Sequence, residues 1–449
     1  MKTQTIWTRA GLTAIASVAL GVGSGTAFAA HSESLDGRWA ATLAQGGIVV
    51  PFRLDISGDG DHVKGTLFNG EETETTTSAR IANGSVQLNF EHYLTSIEAT
   101  VKNGELDGQV IVKRRSPINI TPGATSPAVK DTISEFHAKR YVKPEIADTA
   151  NAPSDIPSIG GVWELPHESP KGEKAWRLIV KQKGAEIEAS LLRVDGDTGA
   201  LTGGWQNGKF VASHFDGSRP GLIEITPQSD GSLSVDLKAE PRNFVLTAYR
   251  SEVARAKGLP EPANYQTHTT VRNPDEVFTY SFPDVNGKVI SNKDPRFKGK
   301  VVLAIVTGTW CPNCHDEAQY LVKLYQQYHD KGLEIVALDF EESDQQASLT
   351  RVNAFIKQYK VPYTYLIAGT PDEMWDKVPQ AVNLNTWPAT LFIGRDGRVK
   401  ATYSGFASSA SGVYNSELKE SFTSIIDRLL AGQEIQRTAV SNTVASLSK

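Results

Sequence analysis

Cys311 and Cys314 are the only cysteines in the 449-residue chain, and they stand three positions apart in Cys311-Pro312-Asn313-Cys314. A bridge between them closes so short a segment that it removes little chain entropy, which makes it a poor structural staple. The pair therefore points to redox chemistry or to metal. On its N-terminal side, Val301-Val302-Leu303-Ala304-Ile305-Val306 is a continuous apolar run, the pattern of a strand buried on both faces. On its C-terminal side, Ala318, Leu321, Val322 and Tyr325 fall at i, i+3, i+4 and i+7 of a helix. Cys311 is thus expected where a strand gives way to a helix. The first N–H groups of a helix lack partners and carry partial positive charge, so a thiolate there is stabilised and its pKa falls below the usual ~8.5. Pro312 suits the first helical turn, where its missing N–H costs nothing. Cys314, one turn deeper, can resolve a mixed disulfide, so Cys311 is assigned as nucleophile and Cys314 as resolving thiol.

Other chemistries fit the same residues less well. Cys311-Pro312-Asn313-Cys314-His315 satisfies the C-x-x-C-H pattern of covalent haem attachment, with Met374 the one methionine besides Met1 that could serve as a sixth ligand. A c-type haem protein is the first alternative. A structural metal site is not expected, since Cys314 and His315 point to different faces of a helix and no second cysteine pair exists. No Pro-x-x-x-Thr-x-x-Cys loop of a peroxidatic cysteine precedes Cys311; the residue three before it is Gly308.

The segment Gly308-Thr309-Trp310-Cys311-Pro312-Asn313-Cys314-His315-Asp316-Glu317 resembles the active-site segment of the TlpA/ResA-like thiol–disulfide oxidoreductases of the thioredoxin superfamily. Phe282-Pro283-Asp284-Val285-Asn286-Gly287-Lys288 is similar to that family's entry hairpin, and Phe297-Lys298-Gly299-Lys300-Val301-Val302 to the strand before the site. Thr386-Trp387-Pro388-Ala389-Thr390 resembles the loop bearing the superfamily's cis-proline, and Gly394-Arg395-Asp396-Gly397 the turn after it. The resemblance covers about residues 277–431. It implies an α/β thioredoxin fold there, and a cis Pro388 facing the sulfurs. It also implies a Trp387 backbone that receives an extended substrate segment, Trp310 as a cover over the sulfurs, and Glu317 as a proton shuttle. It further implies a protein disulfide or thiol as substrate, a membrane electron donor for re-reduction, and no cofactor beyond the Cys311–Cys314 disulfide. Cytochrome c maturation and copper-site assembly are the family's usual settings. His315 is expected on a solvated helix face. Asn313 departs from the family's common Pro before the second Cys, so redox poise does not transfer.

The remaining elements must position this site. Lys2, Arg9, an apolar stretch from Ala10 and Ala27-Phe28-Ala29 have the layout of a secretory signal over 1–29. The expected location is therefore periplasmic or secreted, with no membrane span after the signal. The next part of the chain carries an internal repeat. Gly37-Arg38-Trp39 is echoed by Gly161-Val162-Trp163, Phe52-Arg53-Leu54 by Trp176-Arg177-Leu178, and Asn83-Gly84 by Asn207-Gly208, always at an offset of 124. Alternating apolar residues and Gly-rich turns make each copy, 35–115 and 158–250, an all-β barrel or sandwich. A Pro-rich linker is expected over 116–157, with a short helix near Ser134–Tyr141, a second linker over 251–276, and a disordered tail over 432–449. Glu71-Glu72-Thr73-Glu74 reads as a solvated loop. A net charge of −5 gives no electrostatic reason to bind nucleic acid. The second alternative is a binding protein built on the β modules, its redox domain vestigial.

Overall fold

Alternation builds the N-terminal half. In the strand Ile48–Ser57 the buried residues are Val50, Phe52, Leu54 and Ile56, and in Ser85–Phe90 they are Val86, Leu88 and Phe90. The computed structural model describes residues 34–113, 131–142, 156–218, 220–238 and 244–435. The first repeat copy forms a nine-stranded antiparallel sheet curled into a half-barrel, in which Gly37–Gln45 pairs with both Ile48–Ser57 and Thr132–Arg140. The second copy forms a near-barrel sheet from Gly161–Pro166 to Phe244–Ala248, and a bridge from Glu164 to Tyr249 draws its last strand towards its first. The repeat survives as a shared contact. The Trp39 indole N–H donates to the Leu35 carbonyl at 3.0 Å, and that of Trp163 to the Ile159 carbonyl at 2.8 Å. Arg140 covers the first ring at 4.3 Å, Arg250 the second at 3.7 Å.

Two expectations need correction. The segment expected as a helix near Ser134–Tyr141 is the strand Thr132–Arg140. Its Ser134, Phe136 and Ala138 face the core at a period of two, and pairing on both edges outweighs the helix-forming Glu135 and Lys139. The 71–74 segment is not a solvated loop: Glu72–Thr75 is a strand and Glu74 is buried. The 251–276 connector carries the helix Ser251–Ala256, the turn of helix Tyr265–His268 and the strand Thr270–Val271, which pairs with Ala381–Val382. The expected signal, most of the Pro-rich stretch and the tail beyond residue 435 lie outside the described residues.

The C-terminal part has a five-stranded sheet in the order Thr364–Gly369, Leu333–Phe340, Val301–Thr307, Ala389–Ile393, Val399–Ser404. The first three strands are parallel and the last two antiparallel, the thioredoxin topology. The central strand is buried throughout. Its Val301, Leu303 and Ile305 pack with the helices Pro312–Tyr328, Thr350–Tyr359 and Val413–Leu430, while Val302, Ala304 and Val306 pack with the entry hairpin, Trp310 and Trp387. Both β modules pack onto neighbours. Ile179 and Leu192 of the second join the core under the helix Pro312–Tyr328, and Phe215 enters the core of the first. Buried Asp197 accepts hydrogen bonds from the Ser408 N–H at 2.7 Å and the Ser408 hydroxyl at 2.9 Å. Among the described residues, no helix is long and apolar enough to cross a membrane.

Candidate redox site

Cys311 is the N-cap of the helix Pro312–Tyr328, with Pro312 in its first turn, four residues after the central strand ends at Thr307. Extended backbone at the cap itself places its sulfur against the loop ahead of the strand Ala389–Ile393, where Sγ donates to the Trp387 carbonyl at 3.3 Å. The Trp387–Pro388 peptide is cis. Trp310 packs edge-on to Trp387 at 5.3 Å between ring centroids, its indole N–H held by the Phe340 carbonyl at 2.8 Å. Cys311 is only 4% exposed and Cys314 only 1%. Burial, and then the neighbouring Cys311, push the Cys314 thiol well up.

Glu317 lies one turn beyond Cys314. It is 1% exposed and accepts from the Thr390 hydroxyl at 2.9 Å. Burial pushes its carboxyl up to about 8, against the pull of that hydrogen bond. Glu317, Cys314 and Thr307 line one small cavity of about 10 Å³ beneath the helix.

The structure corrects the placement of His315. Its side chain is fully buried, not on a solvated face. Its Nε2 is 2.7 Å from the Thr309 carbonyl and its Nδ1 2.8 Å from the Tyr359 hydroxyl, and the ring stacks on Tyr93 of the first β module at 4.1 Å. With both nitrogens engaged, it offers no axial ligand to a haem iron. Met374 lies in the apolar cluster on the other face of the sheet, also fully buried.

Several residues at the site escaped sequence reasoning. Thr309, two residues before Cys311, is anchored by Glu341, which accepts from its backbone N–H at 3.1 Å and its hydroxyl at 2.7 Å. Arg351, with no exposed side chain, ties Glu341 at 2.9 Å to Glu342 at 2.8 Å. Adjacent acids directly after the buried strand Leu333–Phe340 were the one readable hint of this. The second β module covers Asn313, whose amide donates to the Asp195 carbonyl at 2.9 Å. Gly196 sits so close that a Cβ there would lie 2.5 Å from the Phe406 carbonyl oxygen and 2.7 Å from the Asn313 side chain. Lys171 pairs with Asp195, and its carbonyl receives the Asn385 amide at 3.2 Å, two residues before Trp387. Nothing in the sequence signals that a β module closes over the cysteines.

Residues 272–416 match the Redoxin family model. The chain is 35% identical over 124 residues to the thiol-disulfide oxidoreductase ResA of Bacillus thuringiensis subsp. konkukian, a stretch covering 28% of this chain and 65% of the relative. With ResA of Geobacillus kaustophilus it shares 28% identity over 174 residues, 38% of this chain and 91% of that one. The chain thus spans just under two thirds of the Bacillus relative. A solved thiol:disulfide interchange protein of the thioredoxin family from Chlorobium tepidum is 22% identical, with 36% of this chain and 99% of that chain covered and a TM-score of 0.27.

Proposed function

We propose that this chain is an exported protein-disulfide reductase in which Cys311 attacks and Cys314 resolves, with no bound cofactor carrying the electrons. One observation carries the reading: the Cys311 sulfur sits at a helix start, 3.3 Å from the carbonyl of the residue before a cis proline. The helix N-terminus favours the thiolate. An extended substrate segment would align along the Trp387 backbone and bring its disulfide to that sulfur.

The Cys311 thiolate attacks one substrate sulfur, forming a mixed disulfide and releasing the other substrate sulfur as a thiolate. Cys314 then loses its proton and attacks the Cys311 sulfur. The second substrate thiolate leaves, two electrons have passed to the substrate, and the pair is a disulfide. The Cys314 thiol holds its proton tightly, so it needs a base, and Glu317 on the same cavity wall is that base. Trp310 and Pro312 shape the rim. A membrane electron donor would return the pair to the dithiol, and cytochrome c maturation and copper-site assembly are the settings that the resemblance to the TlpA/ResA-like family implies.

The test is reduction of a protein disulfide such as insulin, measured in Cys311→Ser and Cys314→Ser variants. Cys311→Ser should abolish turnover, and Cys314→Ser should accumulate a substrate adduct on Cys311. Turnover surviving in Cys311→Ser overturns the assignment of the nucleophile, and an unaltered protein without turnover leaves a binding protein with a vestigial redox domain as the standing reading.

A further inference from the structure

Glu74 reaches the redox helix from the first β module. Both its carboxyl oxygens lie 3.1 Å from the Tyr359 hydroxyl, and Oε2 lies 3.1 Å from His92 Nε2. The Tyr359 hydroxyl in turn meets His315 Nδ1, while His315 Nε2 faces the Thr309 carbonyl. A carbonyl only accepts, so Nε2 carries a hydrogen in every state.

Two placements of the same protons satisfy the rest of the chain. In one, His315 is an imidazolium whose Nδ1–H donates to the Tyr359 oxygen, and the Tyr359 O–H donates to ionised Glu74. In the other, the Nδ1 proton has passed to the Tyr359 oxygen and the Tyr359 proton to Glu74, and all three groups are neutral. No proton enters or leaves. We propose that Glu74 is a positioning residue for the thiol chemistry, setting through Tyr359 whether the ring of His315, the residue after Cys314 on the redox helix, is charged. This rests on the thiol–disulfide reading of the Cys311–Cys314 pair.

Burial pushes Glu74 up while His92 pulls it down. Asp216 of the second module acts on Glu74, Asp316 on the redox helix acts on Tyr93 and Tyr359, and Glu72 and Asp197 act in turn on Asp316. Beyond Thr309 stands the Glu341–Arg351 pair. Tyr93 stacked on one face of His315 and Phe355 edge-on at 4.7 Å keep water from the ring, so a charge on it is weakly screened. A positive ring in the first helical turn favours the Cys311 thiolate.

The experiment uses the full chain in its reduced form and tracks iodoacetamide capture of Cys311 against pH. Glu74→Gln and Tyr359→Phe should each lock His315 neutral and move the capture midpoint to higher pH. The rate near pH ~6 should fall about three- to tenfold, a pKa unit being tenfold, with the alkaline plateau kept. Glu74→Asp should restore part of the shift. An unchanged midpoint in a folded variant overturns the proposal, as does a lowered plateau without a midpoint shift. If Glu74→Gln does not fold, Tyr359→Phe decides, together with the His315 ring nitrogen shifts in the unaltered protein. Those shifts should differ between reduced and oxidised forms, and identical shifts overturn the proposal. Failure of the underlying reading looks different: turnover then survives in Cys311→Ser, whatever the capture midpoint does.

Discussion

Glu317 shows how one buried carboxyl links stability and chemistry. Its carboxyl is pushed from 4.5 to about 8, so the folded chain holds this proton more tightly than the unfolded chain does. Its contribution to stability is complete below about pH 4.5 and drains away as pH climbs through about 8. Glu317→Gln keeps the Thr390 contact and cannot ionise. Its thermal midpoint should therefore fall less than that of the parent between pH ~6 and ~9, measured by circular dichroism. The same substitution removes the base for Cys314, so resolution of the mixed disulfide should slow by about 100-fold or more, read by rapid quench. A slope unchanged by the substitution would place the titrating group elsewhere. Glu317 was legible in the sequence only through the family resemblance of the segment that carries it. The burial that shifts its pKa comes from the sheet beneath it, which no local pattern records.

At the scale of elements, the helix Thr350–Tyr359 does more than pack. Arg351 on its first turn enters a fully buried site and holds Glu341 and Glu342, and Glu341 in turn holds the Thr309 backbone ahead of Cys311. Arg351→Met leaves two carboxylates buried without their cation, and such a break costs about 3–5 kcal/mol. Urea denaturation should show that loss. Restoring neutrality with Glu341→Gln in the same chain should recover part of it, whereas an additive double variant would mean that the two side chains are not coupled. The elements themselves were readable where periodicity was strong. The apolar run Val301–Val306 and the i, i+3, i+4 spacing at Ala318, Leu321 and Val322 match the strand Val301–Thr307 and the helix Pro312–Tyr328 observed. Thr132–Arg140 was misread because its Glu135, Ala138, Lys139 and Arg140 suit a helix, and only pairing on both edges makes it a strand.

At the scale of the whole molecule, the repeat offset of 124 made two β modules visible, but nothing in their sequences showed that they close over the cysteines. That closure has a consequence for access. Asp195 and Gly196 of the second module sit on Asn313, between the two cysteines, and Cys311 is left 4% exposed. Gly196 has a φ of +120° and no room for a Cβ against the Phe406 carbonyl. Alanine there is strained by the backbone, at ~1–3 kcal/mol, and is also pushed off Asn313 by contact. A loosening of 1–2 kcal/mol multiplies an open population by about 5–30. Gly196→Ala should therefore raise the rate of Cys311 capture by a small alkylating reagent by about that factor at fixed pH, with little change in its pH midpoint. Alanine at Gly208, in a hairpin turn where a Cβ meets nothing within 4 Å, controls for strain remote from the site and should leave capture unchanged. If Gly196→Ala instead leaves the capture rate at the parental value while lowering the thermal midpoint, the 194–197 segment does not limit approach to the sulfur. The substrate would then have to enter from the Trp387 side with the second module in place.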